Sequence, residues 1–294
     1  MRIGVVILPD RPWREAEPLW RRAEELGFAH AWTYDHLAWR ELRDAPWFGA
    51  MPTLTAAATA TERIRLGPLV TSPNFRHPVS LARELIALDD ISAGRLELGI
   101  GAGGEGWDAV MLGGPPWSRR ERADRFDEFV VLLDELLRNP ETTRSGAHYS
   151  AYEARTYPGC VQEPRVPFAV AASGPRGLRL AARLGQTWVT VGDPSAPGPT
   201  STGKGLGVVH DQVRRLEDAC ADAGRDPASI RRLVLAGPLL DEGLGSAAEF
   251  HDTVARYAEI GITDFVVHWP RETEPYRGDV DTFEQAIAGA VDRA

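Results

Sequence analysis

The sequence predicts an α/β protein of the (β/α)8 TIM-barrel class. Short apolar runs of β-rich composition alternate with longer amphipathic segments, the alternation occurs eight times in 294 residues, and insertions follow the second, fourth and sixth runs. With 43% hydrophobic content the chain can bury one large core, and its length fits one barrel or two domains equally well; the repeated strand-helix alternation is what makes residues 1–294 read as one barrel domain.

The elements follow in order. Ile3–Leu8 reads as a buried strand, and Trp13–Leu26 as a helix with Leu19, Ala23 and Leu26 on one face and Gly27 as its stop. Ala29–Tyr34 is the second strand. After a long loop, the small residues of Pro52–Thr61 suit a helix and Ile64–Val70 a third strand, followed by a helix over Val79–Ile91. Arg95–Ile100 is strand four, a glycine-rich loop comes next, and Arg119–Leu137 alternates charge and apolar residues as an amphipathic helix. Residues 139–166, broken by Pro140, Gly146, Pro158, Gly159 and Pro164, read as an inserted hairpin or loop. Phe168–Ala171, Gly177–Leu184 and Thr187–Val191 resume as strand, helix, strand. Residues 193–205 are rich in Pro, Gly, Ser and Thr and read as a mobile loop. Leu206–Ala223, Arg232–Ala236, Ala247–Ile260, Phe265–His268 and Val280–Val291 complete the series as helix, strand, helix, strand, helix.

The competing architecture is a doubly wound open sheet, supported by the GxGxxG match at Gly99–Gly104. A dinucleotide fingerprint normally occupies the first βα unit, whereas this one follows the fourth strand, so the barrel is preferred.

Composition narrows the function. A net charge of -9 argues against nucleic acid as a partner, because replacing phosphate counterions needs a basic field. Lys204 is the only lysine among 33 basic residues, leaving one candidate for a Schiff base or a phosphate-loop lysine. Cys160 and Cys220 stand far apart in no CxxC pattern, which points to the cytoplasm and away from a disulfide framework or thiolate metal site. The apolar run at Ile3–Leu8 is too short for a signal segment, and nothing approaches the ~20 apolar residues that cross a bilayer. The seven histidines show no HExxH spacing, so no metal is expected, and GxSxG is absent.

In a barrel the carboxyl ends of the strands carry the chemistry. Strand two delivers Asp35 and His36, with Trp39 and then Trp47-Phe48 following. Taken alone, Asp35-His36 reads as a turn cap beside a satisfied imidazole. At a barrel mouth with Trp39 nearby, His36 reads as a group that moves a proton, with Asp35 setting its tautomer. Strand three delivers Thr71, Ser72, Asn74 and Arg76-His77-Pro78. Strand four delivers the glycine run that includes Gly101, Ala102 and Gly103, where bare backbone can pass close to a flat ligand, and Glu105 is its one ionisable residue. Strand five leads through Ser173, Gly174, Pro175, Arg176 and Gly177 into a helix, whose free amides suit a phosphate or are simply capped. Strand eight ends on His268-Trp269. Trp39, Trp47, Phe48, Trp107 and Trp117 suggest an aromatic-lined pocket for a small-molecule substrate.

Several segments, in this order, resemble the bacterial luciferase-like superfamily of flavin- and deazaflavin-dependent oxidoreductases on a (β/α)8 barrel. They are residues 31–36, 64–71, 76–78, 88–95, 98–103 and 172–175, and together they span the whole barrel. The resemblance implies a flavin-type ring over the barrel mouth against strand three, at Leu69, Val70 and Thr71, with a non-prolyl cis peptide near Leu69-Val70. It implies phosphate binding by the amides around Ser173–Gly177. The Asp-His pair followed by a tryptophan is similar to the deazaflavin branch, which would place His36 and Trp39 next to the hydride-transferring carbon. Glu105 is a loose match to an acid found in some members. The expected activity is therefore a coenzyme F420-dependent reductase acting on a C=C, C=N or C=O bond, with His36 or Glu105 managing the proton. The alternatives are an FMN-dependent monooxygenase and a non-catalytic flavin-binding barrel, the latter disfavoured by the joint presence of Asp35, His36, Trp39 and Glu105. By the same resemblance the protein is expected to be a homodimer.

Overall fold

In a computed structural model the described residues are 1–104, 107–196 and 198–291. The strands are β1 (Arg2–Val6), β2 (His30–Thr33), β3 (Arg65–Pro68), β4 (Leu98–Gly101), β5 (Glu141–Arg144), β6 (Ala151–Arg155), β7 (Phe168–Ala171), β8 (Thr187–Thr190), β9 (Arg231–Leu235) and β10 (Asp264–His268). The helices are α1 (Trp13–Glu25), α2 (Ala50–Ala60), α3 (Pro78–Ile91), a short α4 (Trp107–Met111), α5 (Arg119–Arg138), α6 (Pro175–Leu184), α7 (Thr202–Asp222), α8 (Ala247–Glu259) and α9 (Val280–Val291). Strands β5 and β6 pair antiparallel as the inserted hairpin expected within residues 139–166. The other eight alternate with helices as a (β/α)8 barrel.

Strand order is β3-β2-β1-β10-β9-β8-β7-β4, and parallel bridges Leu66 to Leu96 and Thr71 to Ile100 join the two ends of that series. An open doubly wound sheet leaves its edges unpaired, so this closure rules out the competing architecture. Strand β7 has the bounds expected, β4 begins three residues after the expected Arg95, and the remaining strand ends lie within two residues of those expected. One expectation is corrected. Gly203-Lys204-Gly205 is helical, since α7 starts at Thr202, and the loop is therefore shorter than its composition implied.

The chain divides into two compact units. The first comprises Met1–Leu8, Pro18–Trp32 and Val170–Ala294. Here β1 pairs with β10 in the register Arg2 to Asp264 through Val6 to His268, and with β2 from Gly4 to His30. Trp20, Trp188, Phe250, Tyr257 and Phe265 are fully buried and form the bulk of its core. At the amino-terminal ends of its strands Asp264 accepts hydrogen bonds from Arg2, from His30 Nε2 at 2.9 Å and from Thr263 Oγ1 at 2.6 Å. The Trp32 indole donates to His30 Nδ1 at 2.7 Å, so that nitrogen carries no proton and Nε2 is the donor. Gly4 is required there, because a Cβ would lie 2.1 Å from His30 Nδ1.

The second unit comprises Pro9–Glu17 and Thr33–Ala169. Its helix α5 presents Phe126, Phe129, Val130, Leu133, Leu136 and Leu137 at helical spacing on one buried face, which packs on α3. Ser118 caps it by accepting from Glu121 N at 3.2 Å. Strands β3 and β4 approach closely because position 99 is glycine: a Cβ there would sit 2.3 Å from the Pro68 carbonyl oxygen. Among the described residues, no helix is long and apolar enough to cross a membrane, and no group of three or more His, Cys, Asp and Glu side chains could hold a metal.

Candidate active site

In the second unit the carboxyl ends of β2 and β3 are tied by Leu69 N donating to Thr33 O at 2.8 Å, which sets the segments after both strands side by side. The peptide Leu69-Val70 is cis, where the resemblance placed it. Beyond it, Thr71 donates its N–H to Gly99 O and Gly101 N donates to Thr71 O, each at 2.9 Å, so the start of the glycine run is fixed to the end of β3. Gly103 has φ +75°, and a Cβ on it would lie 2.4 Å from Asn74 Nδ2; backbone comes this close only without a side chain.

After β2 the chain carries Tyr34, Asp35, His36 and Trp39. Tyr34 and Trp39 meet edge to face at 5.2 Å, and Trp47 packs 5.9 Å from Trp39 and 6.5 Å from His36. The Trp47 indole also donates to the His36 carbonyl at 3.0 Å. Tyr34 also meets the His36 ring edge to face at 6.3 Å, so Tyr34 and Trp47 flank an imidazole whose side chain remains 31% exposed, with Trp39 packed against both of them. Of the other aromatic residues expected to line a pocket, Phe48 and Trp107 are exposed, and Trp107 and Trp117 lie under the guanidinium groups of Arg43 and Arg125.

The carboxylate paired with His36 is Asp108, which corrects the expectation that Asp35 orients the ring. His36 Nδ1 lies 2.9 Å from Asp108 Oδ2, while Asp108 Oδ1 accepts the Leu37 N–H at 2.8 Å. Asp35 is otherwise engaged: both its oxygens accept from Arg76, at 2.7 and 2.8 Å, and Arg76 also donates to Glu84 at 2.8 Å. Asp35 is only 2% exposed, and Arg76 meets both of its oxygens as a bidentate fork. Burial works against the charge on Arg76, but its bonds to Asp35 outweigh that and raise its pKa. His77 caps α3, its Nδ1 accepting from Val79 N at 3.3 Å, and burial lowers its pKa.

Asp108 escapes a reading of the sequence because it lies 72 residues from His36, on a five-residue helix with no periodicity of its own. Its one local signal is its place in the loop after β4. Glu105, the acid singled out in that loop, lies outside the described residues.

Three side-chain atoms near the end of β3 are buried and have no partner among the described residues: Thr71 Oγ1, Ser72 Oγ and Asn74 Oδ1. Unpaired buried polar atoms are costly, so a cluster of them at a barrel mouth fits a polar ring system that satisfies them when bound. Together with the bare backbone at Gly103 and Val70, left part-exposed after the cis peptide, these residues fit a flavin-type group.

In the first unit, Ser173 and Gly174 lead into α6, whose N-cap Gly174 makes no side-chain cap bond and whose first residue is Pro175. The amides of Arg176 and Gly177 then open the helix, and a Cβ on Gly174 would meet nothing within 4 Å. Such a start suits an anion. In the same unit a cavity of about 640 Å³ follows β9 and β10, lined by Gly237, Glu242, His268, Tyr276 and Asp279 among others. His268 pairs through Nδ1 with Glu242 at 2.9 Å and stacks on Tyr276 with ring centroids 3.5 Å apart.

Residues 1–261 match the protein family described as luciferase-like monooxygenase. The chain is 39% identical over 170 residues to an F420-dependent glucose-6-phosphate dehydrogenase of Beutenbergia cavernae, covering 57% of this chain and 49% of that protein. It is 31% identical over 218 residues to a 4-hydroxyprotoasukamycin monooxygenase of Streptomyces nodosus subsp. asukaensis, covering 72% and 55% respectively. The chain thus spans about half the length of these curated relatives. The structure of an F420-dependent secondary alcohol dehydrogenase in complex with an F420-acetone adduct superposes with a TM-score of 0.79 at 21% identity, over 97% of both chains, a likeness of fold.

Proposed function

The chain belongs to the luciferase-like monooxygenase family, and we propose that it is a coenzyme F420-dependent oxidoreductase moving a hydride between the deazaflavin ring and a small organic substrate with a C=O, C=N or C=C bond. One observation carries this reading. An imidazole hydrogen-bonded to a buried carboxylate and flanked by Tyr34 and Trp47 follows β2, and the adjoining end of β3 carries the Thr71, Ser72 and Asn74 side chains that have no partner among the described residues. The F420-dependent dehydrogenase among the relatives supports the choice of cofactor.

When bound, the deazaflavin supplies a carbon that gives or takes hydride. The residues of this chain supply the rest. Thr71, Ser72 and Asn74 satisfy polar edges, and the glycine run lets the backbone lie against a ring face. Trp47, backed by Trp39, covers one side of the His36 ring and leaves the rest open. His36 moves the proton that accompanies hydride transfer: it takes a proton from a substrate hydroxyl in oxidation and returns one to the substrate in reduction. The open start of α6 offers the amide donors that a phosphate group requires.

A second reading, an FMN-dependent monooxygenase, is favoured by the monooxygenase relative. Replacing His36 with alanine tests the proton role. The expected result is a fall in kcat of about 10²–10⁴-fold with F420 affinity retained; turnover equal to that of the parent protein would remove His36 from the mechanism.

A further inference from the structure

We infer that Asp108 is a positioning residue that holds His36 as the Nδ1–H tautomer and so makes Nε2 the proton-accepting atom. A carboxylate accepts hydrogen bonds and donates none, and Asp108 Oδ1 already accepts the Leu37 N–H at 2.8 Å. The 2.9 Å contact between Asp108 Oδ2 and His36 Nδ1 therefore places the hydrogen on Nδ1. The neutral ring then has its lone pair at Nε2.

The clamp is two-sided. One carboxylate fixes both the backbone just after His36 and the ring itself, while the Trp47 indole holds the His36 carbonyl at 3.0 Å. Asp108 is 2% exposed, which spares the bond from competition with water and confines the carboxylate to this role. The ring, in contrast, keeps 31% of its side-chain surface open. This combination of buried orienter and accessible imidazole is what a proton carrier needs.

The proton step balances simply. A substrate O–H bond breaks, its proton bonds to Nε2, the electron pair stays on oxygen, and the resulting imidazolium is stabilised by Asp108 across the Nδ1–H bond. In the reverse direction the same imidazolium returns the proton. This inference rests on His36 being the proton carrier, but the tautomer is measurable without turnover.

The test is nitrogen-15 NMR of the His36 ring in the cofactor-free protein, compared with Asp108→Asn and Asp108→Glu. The parent protein is expected to show a protonated Nδ1 and an unprotonated Nε2 above the ring's titration. In Asp108→Asn the new amide keeps an oxygen for the Leu37 N–H but turns its own N–H toward the ring, so Nδ1 must accept and the tautomer inverts. Asp108→Glu is expected to retain the parent tautomer. A parent ring protonated at Nε2, or an Asp108→Asn ring unchanged from the parent, overturns the inference. With F420 and a turned-over substrate, Asp108→Asn is expected to lower kcat about 10²–10⁴-fold at unchanged F420 affinity, with partial rescue by Asp108→Glu. An unaltered kcat in a variant whose tautomer has inverted also overturns the positioning role. Should the parent protein turn over nothing with F420, the proposed activity fails while the NMR result still decides the tautomer.

Discussion

Asp35 and Arg76 show how partners are divided after β2. Asp35 and Asp108 are equally buried, yet the Arg76 guanidinium fork goes to Asp35, beside it after β2, while the His36 imidazole goes to Asp108. Removing Arg76 leaves Asp35 charged and enclosed. Arg76→Met is expected to cost about 3 kcal/mol, the low end for a broken buried pair because the Arg76 side chain is 15% exposed. Glu84→Gln, which touches the exposed side of the same guanidinium, is expected to cost under about 1 kcal/mol. Urea unfolding of the two variants checks this; equal losses would mean that the Asp35 pair carries no special share. The residues of the candidate site were unevenly legible. His36 and Trp39 stand in sequence next to a strand end and were visible there, as were Thr71 and the glycine run. Asp108 was not, since its partner is distant in sequence and only folding brings them together.

Among the elements, the strands and most helices follow from local pattern, and the exceptions have physical causes. The β3–β4 junction needs glycine at position 99 because the neighbouring backbone occupies the space of a side chain. Gly99→Ala is therefore expected to destabilise by about 3 kcal/mol, the upper range for overpacking, because the obstructing atom is a backbone oxygen that cannot rotate away. Gly104→Ala is a matched control, as a Cβ there meets nothing within 4 Å. Thermal unfolding that ranks the two equally would contradict this. The start of α7 departs from the compositional reading, since glycines at 203 and 205 suggest a loop. Helical packing outweighs their propensity: Gly205 is buried with Leu240 and the Tyr257 hydroxyl where a Cβ would be. The short α4, flanked by glycine-rich sequence, has too few residues to show a period.

For the molecule as a whole, the alternation of strand and helix announced the barrel, and strand order with its closing bridges distinguishes it from an open sheet. Asp264 is expected to contribute to its acid stability. Burial raises that carboxyl's pKa, but the hydrogen bond from His30, with the charge of Arg2, overcomes this and lowers it to about 2 from an ordinary 3.8. The folded pKa lies below the unfolded one, so the contribution is fully present above about pH 4 and is lost as pH falls toward 2. It amounts to about 2 kcal/mol. Asp264→Asn should flatten the fall in urea midpoint across that window, and an unchanged slope would assign the acid sensitivity to other carboxylates.

The catalytic proposal is tested most directly by titrating the purified protein separately with coenzyme F420 and with FMN while following ligand fluorescence. Saturable binding of F420, weakened by substitution of Ser72 or Asn74 with alanine and much tighter than that of FMN, is the expected result. Tight binding of FMN with none of F420 would contradict it.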